Sequence, residues 1–225
     1  MDNPLVIVAE KIGKQVSVYS KSLTILHDVD LEIRAGDTVA ICGPSGVGKS
    51  TLLAILAGLD NPTSGSLYLL NNNLANLNEN EKSQLRAREI SFIFQEFYLL
   101  PMLTALENVM LPLEIQGIKH PETLATPILE QVGLSDRLHH YPNQLSGGEQ
   151  QRVAIARAYV TKPTLLFADE ITANLDEENG LLISELMFQL NEELKTTLVI
   201  VTHDLKLAAR CQRQFTIEHG RLNEL

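Results

Sequence analysis

The alternation of apolar and polar residues predicts an antiparallel sheet at the start of the chain. Residues 28–33 alternate with a period of two, and Leu5–Ala9 and Leu23–Leu26 are apolar or β-branched runs of strand length. Further strands are predicted at Thr38–Cys42, Ser66–Leu70, Ile90–Phe94, Leu165–Ala168 and Leu198–Val201. The last two are continuous apolar runs, as strands buried on both faces of a parallel sheet require.

Helical periodicity occurs between these strands. Ser50–Gly58 is an apolar helix that ends at a glycine, and a second stripe is formed by Leu182, Leu186, Leu190 and Leu194. Residues 96–160 are helical in pattern and are punctuated by prolines, which predicts a helical lobe inserted into the sheet. We therefore predict an α/β fold with a mostly parallel sheet. It forms one domain over 1–225, with a core of 1–95 and 160–225 and a helical subdomain at 96–159.

The composition predicts a folded protein with an acidic surface. Hydrophobic residues make up 44% of the 225 residues, enough for a sizeable core. Lys and Arg number 18 against 28 Asp and Glu, and the net charge of -10 disfavours nucleic acid as a partner. Cys42 and Cys211 are too few for a disulfide framework.

No apolar run approaches the ~20 residues that span a bilayer, and the first residues lack the pattern of a secretory signal. We expect a soluble cytosolic protein, whose membrane part would belong to a partner.

A glycine-rich segment between the strand Thr38–Cys42 and the helix Ser50–Gly58 predicts a phosphate site. Gly43–Ser50 fits the pattern G-x-x-x-x-G-K-[ST]. Glycines let backbone N–H groups curl around a phosphate, Lys49 neutralises phosphate oxygens, and the hydroxyl of Ser50 suits Mg²⁺. A chance glycine-rich turn is the alternative, and it leaves the flanking strand and helix unexplained.

Polar residues follow three of the predicted strands, at the edge where parallel sheets bind ligands. Asp169 and Glu170 come directly after Leu165–Ala168; the first suits contact with Mg²⁺ and the second can polarise an attacking water. A solvated acidic turn is the alternative. His203 can donate to a γ-phosphate oxygen, although a lone histidine at a strand end is more often structural. Gln95 can reach Mg²⁺ or the attacking water, and taken alone it is a weak signal.

A second helix start also contains glycines. Ser146 and Glu149 have the spacing of a capping box, and Gly147 and Gly148 leave bare N–H groups at a positive helix end. Because no obvious arginine finger accompanies this second anion site, we predict that it serves a nucleotide held by another copy. A head-to-tail two-fold dimer would then bury two ATP molecules.

Taken in order, these motifs resemble those of the nucleotide-binding subunit of ABC transporters over nearly the whole chain. The matching segments are the Walker A loop at Gly43–Ser50, the Q-loop at Gln95, the signature at Leu145–Gln151, Walker B at Leu165–Asp169 with Glu170, the D-loop at Ala173–Asp176 and the switch histidine His203. Segments 61–65, 85–88, 94–95, 99–109 and 202–210 resemble the branch of lipoprotein release and macrolide export. That branch pairs a separate ATPase with a permease that has a large extracytoplasmic domain.

The resemblance implies an ATPase with the P-loop NTPase (RecA-like) fold that hydrolyses ATP only as a closed homodimer. Glu170 is implied as the general base, while Lys49 and His203 are implied to stabilise charge on the γ-phosphate. The implied Mg²⁺ ligands are Ser50, Gln95 and Asp169. The implied nucleotide-binding positions are Gly43, Pro44, Ser45, Gly46, Val47, Gly48, Lys49, Ser50, Thr51, Ser146, Gly147 and Gly148.

The resemblance also implies partners and a location. The partners are a second copy and integral membrane permease subunits, which hold the chain on the inner face of the cell membrane. Export, or extraction of lipoprotein or lipid, is the direction that the branch implies. An apolar cluster at 97–101 is predicted to receive a short cytoplasmic helix of the permease, with the core of the helical lobe as the alternative.

The chain departs from the family pattern at several positions. Ile171 and Ala173 stand where the branch usually has proline and glycine, and both changes bear on the dimer contact. The aromatic residue that stacks on adenine in the family corresponds to Val16, with Tyr19 as a substitute.

Three other functions compete with this interpretation. A small-molecule kinase or GTPase is disfavoured because neither N-K-x-D nor D-x-x-G occurs in the chain. A non-transporting ABC ATPase that powers cell-envelope or soluble machinery stays open. So does a binding-only module, since Ile171 and Ala173 depart from the catalytic pattern.

Overall fold

The computed structural model describes residues 3–18 and 21–225. They form two compact units. The first unit contains the described residues up to Arg86 together with Thr197–Leu225, and the second contains Ala87–Thr196. The boundary between them lies within the helix α2, which spans Glu79–Glu89.

An antiparallel sheet in the first unit confirms the prediction for the N-terminal region. Its strands lie in the order β2-β1-β4-β5, and they are β1 (Leu5–Val18), β2 (Lys21–Arg34), β4 (Ser64–Leu69) and β5 (Asn72–Asn73). The short runs predicted within β1 and β2 are parts of two long strands. Bulges shift the register between Ala9 and Ile12, and the alternation that marks a strand breaks there.

The first unit also contains parallel strands that carry the phosphate loop. β3 (Thr38–Cys42) pairs in parallel with β8 (Thr197–Thr202) on one side and with β9 (Arg213–Glu218) on the other, and β10 (Arg221–Glu224) pairs antiparallel with β9. Every residue of β3 and β8 is buried, as the continuous apolar runs predicted. The helices of this unit are α1 (Lys49–Leu56) and α7 (Leu205–Ala208).

The second unit combines a parallel strand pair with four helices. β6 (Ile90–Ile93) and β7 (Leu165–Asp169) are parallel, with Ile93 opposite Ala168. The helices are α3 (Ala105–Ile115), α4 (Glu122–Gln131), α5 (Gly147–Tyr159) and α6 (Glu177–Leu194). α5 packs against the other three, and the buried hydroxyl of Tyr159 donates to the carbonyl oxygen of Met187 at 3.2 Å.

Prolines lie inside two of these helices, Pro112 in α3 and Pro127 in α4, so proline in this region does not end each helix. The domain boundaries after residues 95 and 159 stay a prediction. Among the helices in residues 3–18 and 21–225, none has both the length and the apolar character needed to cross a membrane.

Candidate functional site

The phosphate loop has a backbone that only glycine accommodates at two positions. Gly43 follows β3 with φ +153°, and a Cβ there would lie 2.9 Å from the carbonyl oxygen of Ile217. Gly48 has φ +104°, and its Cβ would lie 2.8 Å from the side chain of Ile25. The loop is therefore fixed between β2 and β9, and the sequence motif encodes that close approach.

Lys49 lies over the loop that precedes it. Its side chain is buried, with 6% of the residue exposed, and Nζ donates to the carbonyl oxygens of Gly43 at 2.9 Å and Pro44 at 3.0 Å. The helix α1 starts here with Gly48 as N-cap and without a side-chain cap. Its first N–H groups and the ammonium thus face the same small region, a donor set suited to phosphate.

His203 leaves the sheet at the same edge as the phosphate loop. Cys42 is paired with Thr202 in the parallel ladder, so Gly43 and His203 follow neighbouring strands at the same level. The His203 side chain is exposed. The next residue, Asp204, caps α7 by accepting from the N–H groups of Lys206 at 2.8 Å and Leu207 at 3.3 Å, which fixes the chain just after the histidine.

In the second unit, Asp169 lies at the end of β7, and Gln95 and Glu170 lie just beyond the ends of the paired strands β6 and β7. Asp169 is the last residue of β7, and Gln95 comes two residues after β6. Glu170 has φ +49°, a left-handed backbone that costs a non-glycine residue free energy and recurs at functional sites. Glu170 thus begins a sharp turn. A hydrogen bond from the N–H of Ala173 to the backbone carbonyl oxygen of Glu170, at 3.1 Å, closes this turn.

The second helix start has the capping box that its spacing predicted. The hydroxyl of Ser146 accepts from the N–H of Glu149 at 3.3 Å, and the carboxylate of Glu149 accepts from the N–H of Ser146 at 2.8 Å. This bond from Ser146 is the main reason why the pKa of Glu149 is held below its usual range. The amides of Gly147 and Gly148 remain outside the box and have no acceptor within the helix.

Several contacts of the second unit were not predicted from the sequence. The side chain of Asn174 donates to the carbonyl oxygen of Gln95 at 3.0 Å. A Cβ on Gly148 would lie 3.0 Å from Oδ1 of Asn179, whereas the nearest atom to one on Gly147 is the Leu175 side chain at 3.9 Å. These contacts join residues far apart in the chain, and no local pattern signals them.

The segment after Gln95 is fixed by two side chains that the sequence did not single out. The guanidinium of Arg157 donates to the carbonyl oxygens of Phe97 at 2.8 Å and Tyr98 at 2.6 Å. Asn108 is fully buried; its amide accepts from the N–H of Leu100 and donates to the carbonyl oxygens of residues 100, 103 and 104. The apolar side chains of Tyr98, Leu100 and Met102 nevertheless point to solvent, with Met102 79% exposed.

The structure describes three of the residues named above as departures from the family pattern. Ile171 is buried and Ala173 is exposed in the turn after Glu170. Val16 is half-buried on β1. Tyr19 lies outside the described residues.

The predicted site residues therefore form two groups. Gly43–Thr51 and His203 belong to the first unit, and Gln95, Asp169, Glu170 and Ser146–Gly148 belong to the second. Within the first unit, Gly43 and His203 follow paired strands, and within the second unit Gln95 and Asp169 lie at the ends of another pair. The assembly of both groups around one nucleotide stays a prediction.

Comparison with known proteins identifies the family. A family model described as ABC transporter matches residues 26–173. The chain belongs to the ABC transporter family. This confirms the resemblance drawn from the motifs, and it identifies the chain as an ATP-binding ABC ATPase subunit rather than a kinase or GTPase.

Individual ABC proteins resemble the chain over almost its whole length. The ABC transporter ATP-binding protein YbbA of Escherichia coli (strain K12) is 49% identical over 221 residues, 97% of either chain. The lipoprotein-releasing system ATP-binding protein LolD of Legionella pneumophila (strain Lens) is 48% identical over 222 residues, 98% of either chain. These relatives confirm the predicted branch.

A solved ABC structure has the same fold. The dimeric post-hydrolysis state of the ATP-binding cassette MJ0796, bound to ADP and Pi, matches with a TM-score of 0.88 and 38% identity over 97% of both chains. The chain therefore has the predicted α/β P-loop NTPase fold and is an ATPase.

Proposed function

We propose that this ATPase hydrolyses Mg²⁺-bound ATP as a homodimer and thereby drives a separate membrane permease from the inner face of the membrane. The observation that carries the proposal is the pair of glycine-bearing helix starts. One contains Lys49 and has no side-chain cap, and the other leaves the amides of Gly147 and Gly148 outside its capping box. Two anion-binding ends on one chain suit a nucleotide held between two copies.

The phosphate loop of one copy would hold the β- and γ-phosphates. Nζ of Lys49 donates to two neutral carbonyl oxygens, and charged phosphate oxygens are stronger acceptors for the same ammonium. The backbone N–H groups at the start of α1 supply further donors, and the helix dipole favours negative charge there. His203 would donate to a γ-phosphate oxygen.

The side chains of Ser50, Gln95 and Asp169 all offer oxygen atoms, the ligands that Mg²⁺ prefers, so the donor set fits this ion. When bound, Mg²⁺ neutralises charge on the β- and γ-phosphates. Glu170 would accept a proton from the attacking water, as general base.

The second copy would complete the site through Ser146, Gly147 and Gly148. Ser146 and Gly147 are exposed, and the amides of the two glycines can donate to a γ-phosphate that another copy presents. The dimeric state of MJ0796 with ADP and Pi supports a dimer as the hydrolysing form.

The permease would contact the loop 97–104. Its exposed apolar side chains, Tyr98, Leu100 and Met102, suit an apolar cytoplasmic helix, and the hydrogen bonds of Arg157 and Asn108 keep them in place. Relatives named for a lipoprotein-releasing system support export, or extraction of lipoprotein or lipid, as the direction.

Substitution of the general base tests the catalytic part. We expect Glu170→Gln to bind ATP with unchanged affinity, to lose turnover by at least about 100-fold, and to accumulate as ATP-bound dimers. Equilibrium binding of ATP measures the affinity, a steady-state assay measures the turnover, and size-exclusion chromatography with ATP detects the dimers. Glu185→Gln on the exposed face of α6 is the matched control. Full turnover by Glu170→Gln would remove Glu170 from its role, and a monomer with ATP would contradict the dimer.

Co-purification from membranes tests the permease. We expect Met102→Asp to lose the membrane partner and to keep its ATPase rate. Ile115→Asp, which replaces another exposed apolar residue, on α3, should keep the partner. Capture of a soluble assembly in place of a membrane protein would instead favour a non-transporting ATPase.

A further inference from the structure

Asn174 joins two segments that carry proposed site residues. Its Nδ2 donates to the carbonyl oxygen of Gln95 at 3.0 Å, across 79 positions of sequence. Gln95 follows β6 and Asn174 follows β7, and these strands are paired in parallel up to Ile93 and Ala168. The hydrogen bond therefore closes a ring, with the strand pair on one side and the Asn174–Gln95 bond on the other.

Glu170 lies within this ring. Its carbonyl oxygen accepts from the N–H of Ala173 at 3.1 Å, and the carbonyl oxygen of Thr172 accepts from the N–H of Leu175 at 3.1 Å. Ile171 between them is 2% exposed and anchors the turn in the core. The path from Glu170 to Asn174 is thus short and consists of two successive closed turns.

The far end of the turn is held as well. Asp176 caps α6, where one carboxylate oxygen accepts from the N–H of Asn179 at 2.9 Å and the other from Nδ2 of Asn179 at 2.7 Å. Asn174 therefore lies between Glu170 and a capped helix. Its amide can hold the exposed Gln95, because the backbone of Asn174 is itself fixed on both sides.

We propose that Asn174 is a positioning residue, which holds the backbone of Gln95 so that the Gln95 side chain stays in register with Glu170 during hydrolysis. The inference rests on the proposed roles of Gln95 and Glu170. Asn174 touches neither nucleotide nor water in this scheme. Asn174 affects hydrolysis only by positioning the Gln95 side chain, so substitutions at both residues can test its role.

We expect Asn174→Ala to lower kcat about fivefold, the typical effect of one lost hydrogen bond, and to leave the KM for ATP within about twofold. The melting temperature should stay within about 2 °C, because Asn174 is exposed. Asn174→Asp has the same shape but lacks the donor, and it should lose at least as much kcat. Asn223→Ala, an exposed asparagine on β10, is the matched control and keeps the wild-type kcat.

A double-mutant cycle tests whether Asn174 acts through the side chain of Gln95. We expect Asn174→Ala to lower kcat no further in a Gln95→Ala background, since the side chain that Asn174 positions is absent there. Equal losses in both backgrounds would overturn the proposal, as would an unchanged kcat of Asn174→Ala or a loss that follows the melting temperature. If Gln95→Ala itself turned over like the wild type, the proposed role of Gln95 would fail. A slow Gln95→Ala beside a normal Asn174→Ala would overturn only the role of Asn174.

Discussion

The starts of α1 and α5 leave their N–H groups in different states, although glycines mark both. The N-cap residue of α1 is Gly48, which has no side chain to cap the helix, and no acidic residue lies in the first turn. The N-cap residue of α5 is Ser146, which forms a complete capping box, so the carboxylate of Glu149 lies in the first turn. The positive potential of α1 is therefore fully available to a ligand, whereas that of α5 is partly neutralised by its own residue.

This difference explains how two similar motifs can have different roles. The phosphate loop combines an uncapped helix start with the ammonium of Lys49, so we expect it to bind the nucleotide phosphates without a second copy. The signature has two glycine amides and a nearby carboxylate, which also accepts from Nε of Arg137 at 2.9 Å. We infer that the signature engages phosphate only when another copy already holds the nucleotide.

The largest effect is expected when the phosphate loop loses the ammonium of Lys49, which distinguishes it from the signature. We expect Lys49→Ala to weaken ATP binding by about 100-fold or more, because hydrogen bonds to charged groups contribute about 1.5–3 kcal/mol each. Ser146→Ala should leave the ATP affinity of the monomer unchanged and lower only the turnover of the dimer. Calorimetric titration and ATPase rates measure both, and Lys119→Ala at an exposed position is the control. Comparable losses of ATP affinity in the two variants would make the helix starts equivalent.

A matched pair of glycine substitutions tests why the signature has glycine at position 148. A Cβ on Gly148 meets Oδ1 of Asn179 at 3.0 Å, and Asn179 cannot easily move because Asp176 holds its amide. We expect Gly148→Ala to lower the free energy of unfolding by about 1–3 kcal/mol, and Gly147→Ala to change it by about 0.5 kcal/mol or less. Urea unfolding measures both. Equal costs would show that contact with Asn179 is not what requires glycine at 148.

The smallest effect concerns the charge inside the capping box. The hydrogen bond from Ser146 holds the pKa of Glu149 below its usual range, so the ionised form stabilises the fold. That contribution is complete above the ordinary pKa of about 4.3 and is lost as the pH falls through the lower folded value. We expect the wild type to lose more stability than Glu149→Gln on acidification from about pH 6 to pH 3, since glutamine also completes a capping box. Parallel curves of unfolding free energy against pH would contradict this.

The sequence predicted those features whose chemistry is local. The glycine-rich loop between β3 and α1 and the capping box of Ser146 and Glu149 were predicted correctly, since spacing along a few residues determines the backbone geometry. The buried strands β3, β7 and β8 were also located, because their apolar runs are uninterrupted. α2 was not predicted. Its residues are mostly charged and show no apolar stripe.

Contacts between distant residues could not be predicted in this way. Arg157 and Tyr98 are 59 positions apart, and Asn174 and Gln95 are 79 apart. Each donor is an ordinary polar residue in the sequence, and only the tertiary fold brings it to a backbone carbonyl. The same holds for β9, which pairs with β3, and for β10, which pairs with β9, because their places depend on sheet pairing rather than on a strong local pattern.

The hydrogen bonds of Asn108 and Arg157 also bear on how the loop 97–104 would bind the permease segment proposed above. Ordering a mobile backbone costs about 1–2 kcal/mol of conformational entropy per residue, and here folding has already met that cost. An incoming segment would therefore meet a backbone that these hydrogen bonds already hold, and we expect no slow rearrangement before it binds. The rate of association should then follow from collision and orientation alone.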